Sequence, residues 1–145
     1  MSSRTPRSPR ARATSAACPC GLPATYDDCC GRLHRGEVRA STPEQLMRSR
    51  FSAFAVHDEA YLLRSWHPTT RPPGVDFDPA LRWLRLDVIG STGGPLNVEG
   101  TVEFRAHYTE RGHAGELHEN SRFVRHDHAW VYLDGLAGNR PGLSV

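Results

Sequence analysis

The chain has 145 residues, 38% of them hydrophobic and 23% charged, enough for one compact domain with a small appendage. No apolar run approaches the roughly 18 residues of a membrane span, and the Arg-, Ser- and Pro-rich start lacks the apolar stretch of a secretory signal; a cytoplasmic protein with no membrane contact is expected. All 18 basic residues are arginine, so Schiff-base catalysis and the lysine-dependent phosphate loop are excluded.

Residues 1–17 carry four arginines and no acid, whereas the remainder sets 14 arginines against 16 acids, a net charge of −2. The folded body is therefore not a basic nucleic-acid platform. The first 17 residues have little to bury and are expected to form a disordered tail, with weak nucleic-acid contact at most.

All four cysteines follow within thirteen residues: Cys18 and Cys20, then eight residues, then Cys29 and Cys30. A disulfide framework spreads its cysteines over the fold. Four thiolates in one short loop suit a tetrahedral Zn²⁺; the other reading is a reactive or redox cluster. Gly21 and Gly31 allow tight turns after each pair. A closed four-thiolate site leaves no open position, so the zinc is expected to be structural. Such a site carries a formal charge of −2, and Arg32, His34 and Arg35 follow directly to offset it.

Cys18-Pro19-Cys20-Gly21, Tyr26 and Asp28-Cys29-Cys30-Gly31 resemble the SEC-C motif, named for the C-terminus of the SecA translocase ATPase. Leu22-Pro23-Ala24-Thr25 stands where that motif has Ser-Gly-Lys-Lys. Because the motif in the translocase contacts the chaperone SecB and ribosomes, the resemblance implies a protein or ribosome-associated partner for residues 18–36.

Next in the chain, Thr42, Pro43 and Gln45 read as a helix start with N-cap, N1 proline and capping box. Met47, Phe51, Phe54 and Ala55 recur on one helical face, a core pattern. Asp58 caps a second helix carrying Tyr61, Leu62 and Trp66, which Pro68 ends. From about Leu84 the period changes to two, with Leu84, Leu86 and Val88 on one face. After a turn at 91–95, Leu96, Val98, Val102, Phe104, Ala106 and Tyr108 share a face. Strands over 117–125 and 129–133 complete a meander, giving an α+β fold with helices on one sheet face.

The segments 46–54, 66–71, 100–104, 118–123 and 130–135 resemble, in order, the bacterial YchJ-like family. That resemblance implies a SEC-C knuckle at 18–36 joined to a nuclear transport factor 2-like domain over 37–138, a cone of helices around a curved antiparallel sheet. Residues 139–145 would then be a C-terminal tail.

The strand from Leu117 carries polar groups on both faces: Glu119 and Ser121 on one, His118 and Arg122 on the other. Buried polar groups need partners, so one set is expected to line an internal pocket, with Glu119 facing inward opposite Arg50 on the first long helix. The resemblance adds Glu103, His67 and Arg71 to that lining. Glu119 is either half of a structural ion pair or part of a ligand pocket. His118-Glu119 is not a metalloprotease motif, since Arg122 stands where its second histidine belongs. The leading expectation is a zinc-binding adaptor whose conical domain offers a second surface or binds a small ligand. The alternative, by fold analogy, is an isomerase- or dehydratase-type enzyme using His118 or Glu119 as acid/base.

Overall fold

The computed structural model describes residues 16–135; the expected tails fall almost wholly outside these residues. Ala16 and Ala17 already belong to the knuckle, through the Ala16 carbonyl on Tyr26 N and the Ala17–Thr25 bridge. Three helices precede four strands: α1 (Cys30–His34), α2 (Pro43–Val56), α3 (Glu59–Arg64), β1 (Leu81–Thr92), β2 (Glu99–Glu110), β3 (His113–His126) and β4 (Ala129–Gly135). The strands form one antiparallel sheet in the order β1-β2-β3-β4.

Local chemistry explains the boundaries. Thr42 accepts the Gln45 amide as N-cap of α2, and Pro43 sits at N1. The Gln45 side chain reaches back to Ser41 N rather than to Thr42 N, closing the box one residue early. His57 ends α2 in the left-handed region at φ 62°, and Asp58 caps α3 by accepting the Tyr61 amide. The two tight hairpins turn on Arg111-Gly112 and Asp127-His128, all at positive φ, which matches the right-handed twist of the flanking strands.

Helix α2 packs on the inward sheet face, against β1, β2 and β4. Phe51, Leu62, Val102, Phe104 and Phe123 are fully buried between the layers. Three sequence expectations change. The β1–β2 register slips between Trp83 and Arg85, so this bulge leaves Leu84 57% exposed while Trp83 packs on the core. Leu96 and Val98 lie in the connection before β2, exposed, rather than on its inward face. Trp66 lies beyond α3 and pairs in parallel with Tyr132 at the edge of β4. The core also takes in the end of the N-terminal segment: Leu33 is buried within it, and Val38 and Ala40 pack against it.

Leu33 therefore ties the N-terminal segment to the main core. Leu33→Ala is expected to lower unfolding stability in urea by about 2–5 kcal/mol through the cavity it leaves. Leu96→Ser, at a fully solvated apolar residue, is expected to change it by no more than about 0.5 kcal/mol.

Candidate metal centre and the buried polar cluster behind it

The knuckle begins with a turn in which Gly21 N donates to the Cys18 carbonyl, with Gly21 at φ 93°, a conformation that disfavours side chains. Gly31 has a different reason from the expected turn. It lies inside α1, where a Cβ would come within 2.7 Å of the Tyr26 carbonyl.

These two features bring the four Sγ atoms within 4.8 Å of one another, with Cys20 and Cys29 Sγ 3.7 Å apart. A tetrahedral ion with metal–sulfur bonds of about 2.3 Å requires sulfur separations of about 3.8 Å. All four cysteines are free and only Cys29 is more than slightly exposed. The donor set thus fits a metal ion held by Cys18, Cys20, Cys29 and Cys30. Hydrogen bonds from Cys20 and Cys30 pull the Cys18 thiol far down. The same contact with Cys18 raises Cys30 and Cys20, and burial pushes Cys29 up to about 12.

Two of the cations expected to offset the thiolates do other work. Arg35 pairs with Asp27 and Glu37, and His34 is buried. The guanidinium that reaches the cysteine loop from α2 is Arg48, which donates to the Cys20 carbonyl at 2.7 Å and pairs with Glu44.

His34 joins the knuckle to α2. Its Nε2 lies 2.8 Å from the Ser49 carbonyl and its Nδ1 2.7 Å from the Tyr26 hydroxyl. A carbonyl only accepts, so Nε2 carries the proton and Nδ1 accepts from Tyr26. Ser52 adds a contact of 3.6 Å to Cys18 Sγ. Sequence reading missed Arg48, Ser49 and Ser52; the legible signal was three polar residues on a helix otherwise built for burial.

Behind α2 lies the second cluster. Arg50 is completely buried. Its Nη1 donates to the Leu62 carbonyl and to Ser65 Oγ, and its Cζ sits 4.6 Å from the ring centroids of both Trp66 and Tyr132. Nε and Nη2 have no hydrogen-bond partner. Burial lowers the guanidinium to about 10, partly countered by Tyr132, Tyr61 and Glu119. It remains a cation at neutral pH, stabilised by two aromatic faces.

Glu119 is fully buried across the sheet and accepts from Ser121 Oγ at 2.6 Å and, at a long 3.4 Å, from the Tyr132 hydroxyl. Tyr132 thus stands between the two charges, its ring against Arg50 and its hydroxyl toward Glu119. Gly135 completes the fit, because a Cβ there would stand 2.5 Å from the carboxylate carbon.

The remaining expected pocket residues do not converge here. His118 and Glu103 pair with each other on the outer sheet face at 2.7 Å. Arg122 is on that face too, doubly bonded to Asp134. Strand alternation therefore separates His118 from Glu119 by the thickness of the sheet, and no acid/base pair can form from them. His67 and Arg71 lie after α3. His67 N donates to the Tyr132 carbonyl, and Arg71 donates to the Trp66 carbonyl. No helix among the described residues is long and apolar enough to cross a membrane.

Two measurements check this site. Burial holds His34 below its ordinary value of 6.5, so on acidification the unfolded chain takes up a proton before the folded one does. Stability is then retained above pH of about 6.5 and falls below it. Urea midpoints from about pH 7.5 to about 5.5 are expected to drop in the wild type, with part of the slope removed in His34→Gln. Glu119→Gln is expected to destabilise by about 1–3 kcal/mol, read in the same assay, because it removes a buried charge facing Arg50.

Residues 42–135 match the family described as "YchJ, middle NTF2-like domain". A UPF0225 protein of Streptomyces avermitilis is 56% identical over 128 residues, covering 88% of this chain and 89% of its own. A UPF0225 protein of Ralstonia nicotianae is 48% identical, covering 86% and 94%. Among solved structures, a SEC-C motif containing protein from Rhodopseudomonas palustris is similar with a TM-score of 0.74 and 36% identity, covering 83% of this chain and 98% of that one. One from Psychrobacter arcticus is similar with a TM-score of 0.72 and 27% identity, covering 85% and 83%.

Proposed function

The chain belongs to the YchJ family, and from that premise we propose that it is a cytoplasmic, zinc-stabilised adaptor. The observation that carries this reading is the four-sulfur cluster, spaced for a tetrahedral ion and closed by its own chain. With four protein ligands there is no open coordination position, so the metal organises the loop and takes no part in turnover. The loop it organises presents Leu22, exposed, followed by Pro23. That apolar tip on a rigid base is suited to docking a protein or ribosome-associated partner, as the likeness to SEC-C motif containing proteins supports. The sheet and helices behind it are read as the nuclear transport factor 2-like cone, with knuckle and cone meeting near residue 37.

A second reading, an isomerase- or dehydratase-type enzyme or a small-ligand binder, draws on one observation. Two buried Arg50 nitrogens lack partners in the neighbourhood of Glu119. Lysate capture separates the two readings. Under the adaptor reading, the wild type and Glu119→Gln retain a partner and Cys29→Ser loses it. Loss with Glu119→Gln alone favours the interior site.

Zinc itself is checked directly. Metal analysis of protein purified under reducing conditions is expected to find one zinc per chain, and none with Cys20→Ser. Thiols must lose their protons to ligate, so uptake by the reduced apoprotein is expected to release protons, measured in weakly buffered solution with an indicator dye.

A further inference from the structure

A groove of about 410 Å³ runs between the end of the knuckle, the region after α3 and the edge strand β4. Leu33, Val38 and Trp130 contribute apolar lining, and Arg39, Arg64 and Arg71 surround it with positive charge. Elsewhere Arg35, Arg48, Arg85, Arg105 and Arg122 are each neutralised by a carboxylate. Arg32, Arg82, Arg111 and Arg125, like Arg39, Arg64 and Arg71 of the groove, are in no ion pair among the described residues. Arg64 is held by the Leu33 and His34 carbonyls, and Arg71 by the Trp66 carbonyl. Those contacts fix two guanidinium groups in place without cancelling their charge. The acid bordering the groove, Asp127, is paired with His126.

The groove is also lined in part by sheet edge whose main chain is left unpaired, at a strand that is otherwise nearly buried there, Trp130 being 3% exposed. Tyr132 N donates to the Ser65 carbonyl, and the Tyr132 carbonyl accepts from His67 N. Both main-chain groups of Tyr132 therefore point away from β3. Alternation along an antiparallel pair turns the Trp130 amide and carbonyl to the same side. There they have no main-chain partner among the described residues, because the parallel Trp66 bridge covers Tyr132 only. An edge strand with free main-chain groups beside an apolar floor accepts an added strand.

We propose that this groove binds an extended acidic segment of a partner protein. The segment pairs with the Trp130 amide and carbonyl, and its carboxylates meet Arg39, Arg64 and Arg71. This rests on the adaptor reading and names the partner's chemistry. Main-chain pairing supplies binding that tolerates sequence variation, and the arginines select for negative charge and speed encounter. The chain's own first 15 residues carry four arginines and no acid, the wrong charge for this groove.

The test is an NMR titration of the ¹⁵N-labelled, metal-loaded full chain with three synthetic decapeptides. One alternates Asp and Val, one alternates Lys and Val, and the third is the Asp/Val peptide N-methylated at every second amide. Saturable shifts of the Trp130 amide with the Asp/Val peptide alone are expected. Binding is expected to weaken about tenfold or more on N-methylation, and likewise in an Arg39→Gln/Arg71→Gln variant with an unchanged amide spectrum, and to fall with added salt. Three results would overturn the groove: no saturable binding, shifts confined to residues 21–24, or inorganic phosphate or a single-stranded oligonucleotide binding the arginines while leaving Trp130 unmoved. So would a Trp130 shift on deleting residues 136–145, which makes the chain's own end the occupant. Shifts confined to 21–24 leave the adaptor reading standing. Failure of wild-type lysate capture while the Asp/Val peptide binds Trp130 rejects that reading and keeps the groove.

Discussion

Helix α2 is buried on two sides, and the polar groups it carries inward must find partners away from water. Ser49, Arg50 and Ser52 are all fully buried. On the knuckle side, His34 takes the Ser49 carbonyl and Cys18 lies against Ser52. The Ser49 hydroxyl meets Tyr61 and the Leu46 carbonyl. On the sheet side, Arg50 is held by α3 and by two aromatic rings. Knuckle, α3 and sheet are each placed by what this one helix needs, so the small N-terminal segment is not an independent bead on the chain.

This arrangement links the cysteine cluster to the interior over a short path. Ser49 and Ser52, which touch the knuckle, flank Arg50, which faces the aromatic pair. The aromatic sandwich also explains how a fully buried guanidinium with two nitrogens lacking hydrogen-bond partners is tolerated. The ring faces of Trp66 and Tyr132 supply electrostatic stabilisation in place of oxygen acceptors.

The outer sheet face follows a different rule. Asp87 lies between Arg85 and His107, His107 also approaches Glu116, and Glu116 pairs with Arg105. Further along, Glu103–His118 and Arg122–Asp134 repeat the pattern. Such exposed cross-strand pairs add little stability each. They cover much of that face with mixed charge. In the groove beside β4, Arg64 and Arg71 are fixed by carbonyls and, with Arg39, are in no ion pair among the described residues.

Local chemistry made much of this legible in the sequence. Cysteine spacing identified the cluster, because four soft ligands within one short loop have few other uses. The Thr42-Pro43 and Asp58 caps depend only on neighbouring atoms, and two-residue alternation placed Glu119 and Ser121 opposite His118 and Arg122. Partners distant in the chain were decided by the tertiary structure. The Trp83/Arg85 bulge arises from pairing with β2, so alternation misplaced Leu84. Leu33 enters the core, His34 meets Ser49, and Arg48 rather than Arg32 or Arg35 reaches the knuckle, because α2 folds back over α1. That the Trp130 main chain is unpaired while that of Tyr132 meets Ser65 and His67 follows from the pairing of β4, not from its sequence. Sequence specifies which groups must be satisfied; packing chooses the partner among several of the same chemistry.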